Sequence, residues 1–577
     1  MKFVYYASVL VTFCMSMVLA GCGAGGTSPE TKNALHESTA CISCHQDSNW
    51  QTPGTGKNVV AEWTLSTHNT NNGAGCGDCH GYGSNHPASC IKCHATGAAF
   101  NPIINPDAAG KCATCHDSTK GYSTDRNYNG KSLNTLTEHF STPTLKAYTS
   151  GSFKARFITK NYEQSCRSCH NPHDTGTHME KFRQWARSGK GNVSANPWAS
   201  RDFRLSGTAL PATPATTFGS ECVRCHTATG FITYLKNKTI APFGSTSKVE
   251  GREVLACNAC HDDGSGYAYG YKLRSVGQVT AYYNVSTTQA GPVRYRIRAT
   301  ETYDNIGKSN LCLTCHVGRE IGEIIKTAAA QGLNFANTGF ISSHYMTAGA
   351  SIFQASGYEF NLRSYPQGQG TPGSFPHLHR TVGVNNQNGT GSDGPCITCH
   401  LKPGRHTFLP LNLTEVATTD SLWLRQITGI VSPECAKCHN GTTAPAQSVA
   451  SLNTSKTGFF ATLEILRTIM ATRNLHYRSG SIFNAATGTT RVTNWTKAPA
   501  SGADVMGAAF NYVLLNFDYG AYTHNIFYSK RLLYDSIDLL DDLTLNYSTC
   551  STIGPVNTAP FNYLCVNGAS NSLTERP

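Results

Sequence analysis

The sequence is short of several things a chain of 577 residues normally folds with. Charged residues make up 14% and apolar residues 39%, and the mean hydropathy is −0.31. Helical apolar periodicity is scarce before the last quarter, which excludes a long-helix bundle as the whole fold. Beyond residue 21 no run is apolar and long enough for a membrane span. There is no Ser-His-Asp pattern and no phosphate-binding glycine loop, so nothing points to triad hydrolysis or nucleotide chemistry. Methionine is nearly absent: after residue 21 only Met179, Met346, Met470 and Met506 offer a thioether.

What is present is cysteine and histidine, 24 and 22 residues. Twenty of the cysteines fall into one phrase, C-x-x-C-H, repeated ten times. The copies are Cys41-Cys44-His45, Cys76-Cys79-His80, Cys90-Cys93-His94, Cys112-Cys115-His116 and Cys166-Cys169-His170. They continue with Cys222-Cys225-His226, Cys257-Cys260-His261, Cys312-Cys315-His316, Cys396-Cys399-His400 and Cys435-Cys438-His439. Composition alone predicts roughly 0.04 copies. Paired cysteines also hold zinc, but zinc does not demand a histidine after every second cysteine, and all ten pairs have one. Disulfides across two residues form a strained ring and leave the histidine unexplained. The phrase is the attachment signal of c-type haem: two thioethers to the porphyrin, and an imidazole tethered under one face of the iron. Ten covalent haem c groups are therefore expected.

A haem with two protein ligands passes electrons, whereas one with an open position binds and transforms a small molecule. The ten motif histidines each take one axial position. Twelve histidines remain as distal candidates: His36, His68, His86, His139, His173, His178, His344, His377, His379, His406, His476 and His524. Ten are needed if every iron is bis-imidazole, so two are spare. His173, rigidified by Pro172 just past the fifth motif, is placed to reach a neighbouring haem, as is His406 past the ninth. His377 and His379 flank Leu378, and one of the two is expected to ligate. No C-x-x-C-K variant occurs. The balance favours a conduit with no catalytic residue. An open-site reductase of nitrite, hydroxylamine or a sulfur oxyanion stays as an alternative, and so do a filament subunit and a component of a complex with a β-barrel porin.

Residues 1–21 read as an export signal, with Lys2 ahead of an apolar stretch ending in Leu19-Ala20-Gly21-Cys22. This is similar to a bacterial lipobox, which makes Cys22 a candidate for lipidation; the alternative is an ordinary signal with an incidental cysteine. Residues 22–40 form a Gly/Ser/Thr-rich tether. Residues 41–126 carry four motifs in close succession, and residues 127–440 carry six more plus a hairpin near 278–300. Residues 441–577 have no motif and read as largely helical, with Leu532, Leu533, Ile537 and Leu540 on one helix face. Helices are also expected over 319–330, 462–474 and 529–541. The remaining pair, Cys550 and Cys565, is either a disulfide, which an oxidising compartment favours, or two free thiols. The expected fold is a loop-rich multihaem cytochrome c, mainly α with little β, its core filled by haem and its C-terminal segment helical. Loss of Lys2 with the signal takes the formal charge of +12 to +11, which falls to about +1 with ten ferric haems and about −9 with ten ferrous ones, so the basic residues need not imply nucleic acid.

The lipobox, Cys225-His226-Thr227-Ala228-Thr229-Gly230-Phe231, Cys257-Asn258-Ala259-Cys260-His261-Asp262-Asp263, Cys315-His316-Val317-Gly318-Arg319, and His524-Asn525 followed by Leu532-Leu533-Tyr534-Asp535-Ser536-Ile537-Asp538 together resemble a family. It is the outer-surface multihaem c-type cytochromes of Geobacter-like metal-reducing bacteria. The haem count is also similar to that of Shewanella-type surface cytochromes, which group their haems in two fives between β-barrel domains; here the motifs run in a more even series. The resemblance implies an outer-membrane lipoprotein at the cell surface. It implies electron export to ferric or manganese oxides, electrodes or partner cytochromes, and a distal-ligand role for His524.

Overall fold

Each of the last five C-x-x-C-H phrases winds into one short helix, in a computed structural model of the chain. The described residues are 220–237, 253–262, 272–288, 294–344, 347–365, 379–386, 389–402, 404–414, 425–442, 444–566 and 576–577. To these are added 41–42, 45–47, 51, 57–70, 75–76, 127–128, 131–132, 173, 179–192 and 195. Two compact units result: Met1–Thr137 with Asn161–Glu180 and Asp262–Lys272, and Glu138–Lys160 with Lys181–His261 and Leu273–Pro577.

In the first unit a helix spans Val59–Leu65, with Glu62 and Trp63 buried. Asn58 caps it by accepting the N–H groups of Val60 and Ala61, which satisfies two of the donors a helix start leaves open. The same amide donates to the carbonyl of His45 at 3.1 Å, so the first motif is tied to this helix start. His68 lies on the next turn, Thr67–Thr70.

The second unit begins its described course with α1, Met179–Arg187, whose residues from Lys181 onward belong here. Three motif-region helices follow: α2 (Ser220–His226), α3 (Ala228–Asn237) and α4 (Cys257–Cys260). The alternating stretch near 278–300 is an antiparallel hairpin of β1 (Thr280–Thr288) and β2 (Arg294–Thr302), with Thr280 opposite Thr302. Then come α5 (Asn310–His316), α6 (Gly322–Ala330), α7 (Ala348–Ile352), α8 (Pro395–His400) and α9 (Glu434–Cys438). A short pair of strands, Leu411–Leu413 and Ile427–Ile430, lies between the last two.

The C-terminal part is built on long helices: α10 (Val449–Thr472), α11 (Gly502–Phe517), α12 (Ala521–His524) and α13 (Ile526–Asp542). The expected helix over 462–474 is thus longer at its start. Ser448 opens it with a reciprocal capping box to Ser451, which stabilises a polar first turn that apolar spacing does not announce. Leu463, Leu466 and Met470 of α10 and Val505, Phe510 and Leu514 of α11 are almost wholly buried. Leu532, Leu533, Ile537 and Leu540 of α13 join them in one apolar core. This part therefore carries a conventional side-chain core, thicker than composition leads one to expect. Cys550 and Cys565, both buried, are joined by a disulfide.

Charge is buried alongside this core. Asp535 and Asp538 on α13 are fully buried, and Arg363 pairs with both. Arg576 donates to Asp535 Oδ1 at 2.7 Å, and the Tyr365 hydroxyl also donates to Asp535. Among the described residues no helix is long and apolar enough to cross a membrane.

Candidate haem sites

The spacing i, i+3 puts two side chains on one face of a helix, so one turn presents both motif thiols together and releases the histidine at its end. What surrounds each turn fixes where that face points. The eighth motif, on α5, is braced by Asn310, which accepts from Ile306 N–H at 3.1 Å and donates to the Val276 carbonyl at 3.1 Å. Its other end is seated on the hairpin: the Tyr283 hydroxyl donates to the Val317 carbonyl at 3.0 Å and lies 2.7 Å from the Tyr303 hydroxyl. Ser309 ties the eighth motif to the ninth, donating to the Asp393 carbonyl at 2.7 Å and accepting Ile397 N–H at 3.1 Å. The seventh motif is held by Arg274, whose Nε donates to the Asn258 carbonyl at 2.8 Å.

These braces bring the motifs together out of sequence order. The thiols of Cys225 and Cys315 are hydrogen-bonding neighbours, and so are those of Cys312 and Cys396. Cys260 lies near Cys312, and Cys399 lies near Cys435 and Cys438. The sixth motif therefore abuts the eighth, the eighth abuts the ninth and the ninth abuts the tenth, with the seventh beside the eighth.

Four motif histidines face a second imidazole. Ring centroids are 6.4 Å apart for His226 and His344, 6.1 Å for His261 and His406, 6.0 Å for His379 and His439, and 6.1 Å for His400 and His524. A metal–imidazole nitrogen bond is about 2 Å, and a ring centroid lies about 1.1 Å behind its nitrogen, so two imidazoles sharing one metal have centroids about 6.2 Å apart. All four separations match that spacing.

In the His400–His524 and His379–His439 pairs the outer ring nitrogens are committed elsewhere. His400 Nδ1 donates to the Phe408 carbonyl at 2.8 Å and His439 Nδ1 to the Pro445 carbonyl at 2.9 Å. His379 Nδ1 donates to the carbonyl of Thr523. His524 Nδ1 donates to Asp518 Oδ1 at 2.7 Å. Such partners fix the tautomer and leave Nε2 as the ligating atom. The single turn α12 thus serves two sites, presenting His524 to His400 and the Thr523 carbonyl to His379. Burial and then the facing imidazole push His261 and His400 down to about 4, which keeps them neutral, the form that binds metal. Burial pulls on His524 too, but the Asp518 carboxylate outweighs it and raises the group.

The eighth motif differs. Lys190 Nζ lies 3.0 Å from His316 Nε2, and among the described residues no imidazole ring stands opposite His316. Lys190, Asp518 and the carbonyl partners have no sequence signature: none sits at a fixed offset from a motif. His476 lies in a short strand, His476–Arg478, without a ring contact to a motif histidine among the described residues. Met470 and Met506 are sunk in the apolar core. His68 and His173 lie in the first unit, with Cys41, His45 and Cys76. Outside the described residues are Cys22, Cys44, Cys79, His80, Cys90, Cys93, His94, Cys112, Cys115, His116, Cys166, Cys169 and His170, and the candidates His36, His86, His139, His178 and His377.

Repeated C-x-x-C-H turns with paired imidazoles define a multihaem c-type cytochrome. Residues 84–271, which contain the third to seventh motifs, match the family model described as outer membrane cytochrome MtrC/MtrF-like, domains II/IV. The chain is 35% identical over 370 residues to the C-type polyheme cytochrome OmcB of Geobacter sulfurreducens, covering 59% of this chain and 46% of that protein. It is 32% identical over 485 residues to the C-type polyheme cytochrome OmcC of the same organism, covering 73% of this chain and 60% of that protein. The chain thus spans roughly half the length of the curated relatives it matches. No solved structure matches. These similarities place the chain among the outer-surface multihaem c-type cytochromes, whose haem c is covalently bound.

Proposed function

We propose that this chain is a decahaem electron conduit of the outer cell surface, held to the membrane by a lipid on Cys22. Bound haem c supplies the reversible ferric–ferrous couple. The chain's own residues would hold it: the cysteine pairs would fix its position, the paired histidines would be its iron ligands, and the carbonyls of Phe408, Pro445 and Thr523 with Asp518 would hold His400, His439, His379 and His524 against reorientation. An iron with two fixed imidazoles changes little between oxidation states, so the reorganisation accompanying each electron is small. The abutting sixth, eighth, ninth and tenth motifs form a path, with the seventh as a side branch.

The observation that carries this reading is the set of four imidazole pairs at the spacing of a shared iron. A second imidazole blocks the position a substrate needs, so these sites are built to pass electrons. Acceptors in keeping with the family are metal oxides, electrodes and partner cytochromes. The test is stopped-flow oxidation of the fully reduced protein by ferric oxide colloid and by an oxidised multihaem cytochrome. Rapid loss of the ferrous α-band across all haems is expected. Haems that stay reduced while only nitrite, hydroxylamine or a sulfur oxyanion oxidises them would contradict it.

A further inference from the structure

The eighth motif breaks the pattern of paired imidazoles. His316 is half-buried in the second unit, and the group at its Nε2 is the amine of Lys190, 3.0 Å away. We infer that Lys190 is the second axial ligand of the haem carried by Cys312, Cys315 and His316, giving one His–Lys site in a chain of bis-imidazole sites. The inference rests on the haem reading above.

The bland account is a simple hydrogen bond from a lysine to a neutral imidazole. It fails on one point. In a C-x-x-C-H site Nε2 of the histidine spends its lone pair on iron, and no acceptor is left for a hydrogen bond. With iron on His316, Lys190 must either ligate or move away. Its backbone is anchored beside the motif. Lys190 N–H donates to Ser188 Oγ at 3.1 Å, and the Lys190 carbonyl accepts Leu255 N–H at 3.2 Å. Trp185 Nε1 donates to the Leu255 carbonyl at 2.9 Å, closing the same staple. Gly191 lies against Trp185, where a Cβ would fall 2.6 Å from the indole. The anchored backbone holds the stem of Lys190 beside His316. Two nitrogens sharing a metal are about 4 Å apart, so Nζ has to withdraw by about 1 Å, which a flexible four-carbon stem allows. The ammonium gives up one proton to solvent, and the neutral amine would then ligate through its lone pair. His476, which makes no ring contact to a motif histidine among the described residues, is not needed at this site.

The test uses the full matured chain in four forms: wild type, Lys190→Ala, Lys190→Arg and Lys190→His. Haem is counted by the pyridine haemochrome assay, high-spin ferric haem by electron paramagnetic resonance, and open ferrous haem by carbon monoxide titration. Arginine keeps the charge and the hydrogen-bonding capacity but cannot deprotonate to ligate. Lys190→Ala and Lys190→Arg are expected each to gain about one high-spin, carbon-monoxide-binding haem per chain over wild type, and Lys190→His to return to the wild-type value. Unchanged spin state and carbon monoxide stoichiometry in both the Ala and Arg forms would overturn the assignment. A wild-type peptide bearing Cys312 and Cys315 without the mass of haem would instead contradict the underlying haem reading.

Discussion

His524 faces His400 with ring centroids 6.1 Å apart, and Asp518 Oδ1 sits 2.7 Å from its Nδ1. A carboxylate behind a ligating imidazole raises its basicity and fixes its orientation. His524→Ala is expected to convert about one haem per chain to a high-spin, carbon-monoxide-binding form. Asp518→Asn keeps the imidazole but weakens it as a donor, so one haem should stay low-spin while its midpoint potential rises. Spectroelectrochemical titration of both variants measures this. A potential that falls or stays put in Asp518→Asn would count against the carboxylate's role.

Gly520 leaves room for that imidazole. A Cβ there would fall 2.6 Å from His524 Cε1 and 3.0 Å from its Nε2. Gly520→Ala should therefore push the ring off its axis and raise the high-spin fraction of the same single haem. A control substitution at Gly488, where the nearest atom to a Cβ is a side-chain carbon at 3.5 Å, should leave the spectrum as it is. Equal spectra for both variants would refute the packing argument.

How much of this could be read from the chain depends on distance along it. The motif turns are local chemistry, so cysteine spacing marks the five helical turns described for the sixth to tenth motifs. The hairpin announces itself by alternation between residues 278 and 300, and α13 by its apolar face. The distal side of each iron is a tertiary matter. Counting shows that enough histidines exist, but only the fold decides that His344 meets His226, that His406 meets His261, and that His379 meets His439. His524 is legible only through the phrase around it. Lys190 is invisible in the sequence, because one lysine among 47 basic residues reads as a counter-charge for propionates. The extent of the C-terminal core is less legible, and α11 has no counterpart among the expected helices. Its helices bury so much of their circumference, Asp535 and Asp538 included, that amphipathic spacing is blurred.

Those two carboxylates make a prediction about stability. Asp535 is fully buried and held by Arg363, Arg576 and Tyr365. Removing one partner of a buried ion pair leaves the others uncompensated and costs about 3–5 kcal/mol. Asp535→Ala should lower the denaturant midpoint of the C-terminal part by a corresponding amount, while the haem count stays unchanged. A midpoint equal to wild type would show that the network contributes no net stability.

The Cys550–Cys565 bridge closes a loop with a sequence separation of 15. Constraining the unfolded chain over such a loop contributes about 3 kcal/mol. The double variant Cys550→Ser with Cys565→Ser should lose stability on that scale in chemical denaturation. Its visible spectrum should match wild type, since neither thiol belongs to a motif. Altered haem bands before any unfolding would place the bridge nearer the irons than the fold does.

The central claim is that every iron carries two protein ligands. Carbon monoxide titration of the fully reduced, matured protein, referenced to a pyridine haemochrome count, tests it most directly. Ten haems per chain and no stoichiometric carbon monoxide uptake are predicted. One or more carbon-monoxide-binding haems per wild-type chain would contradict the conduit and point to a reductase.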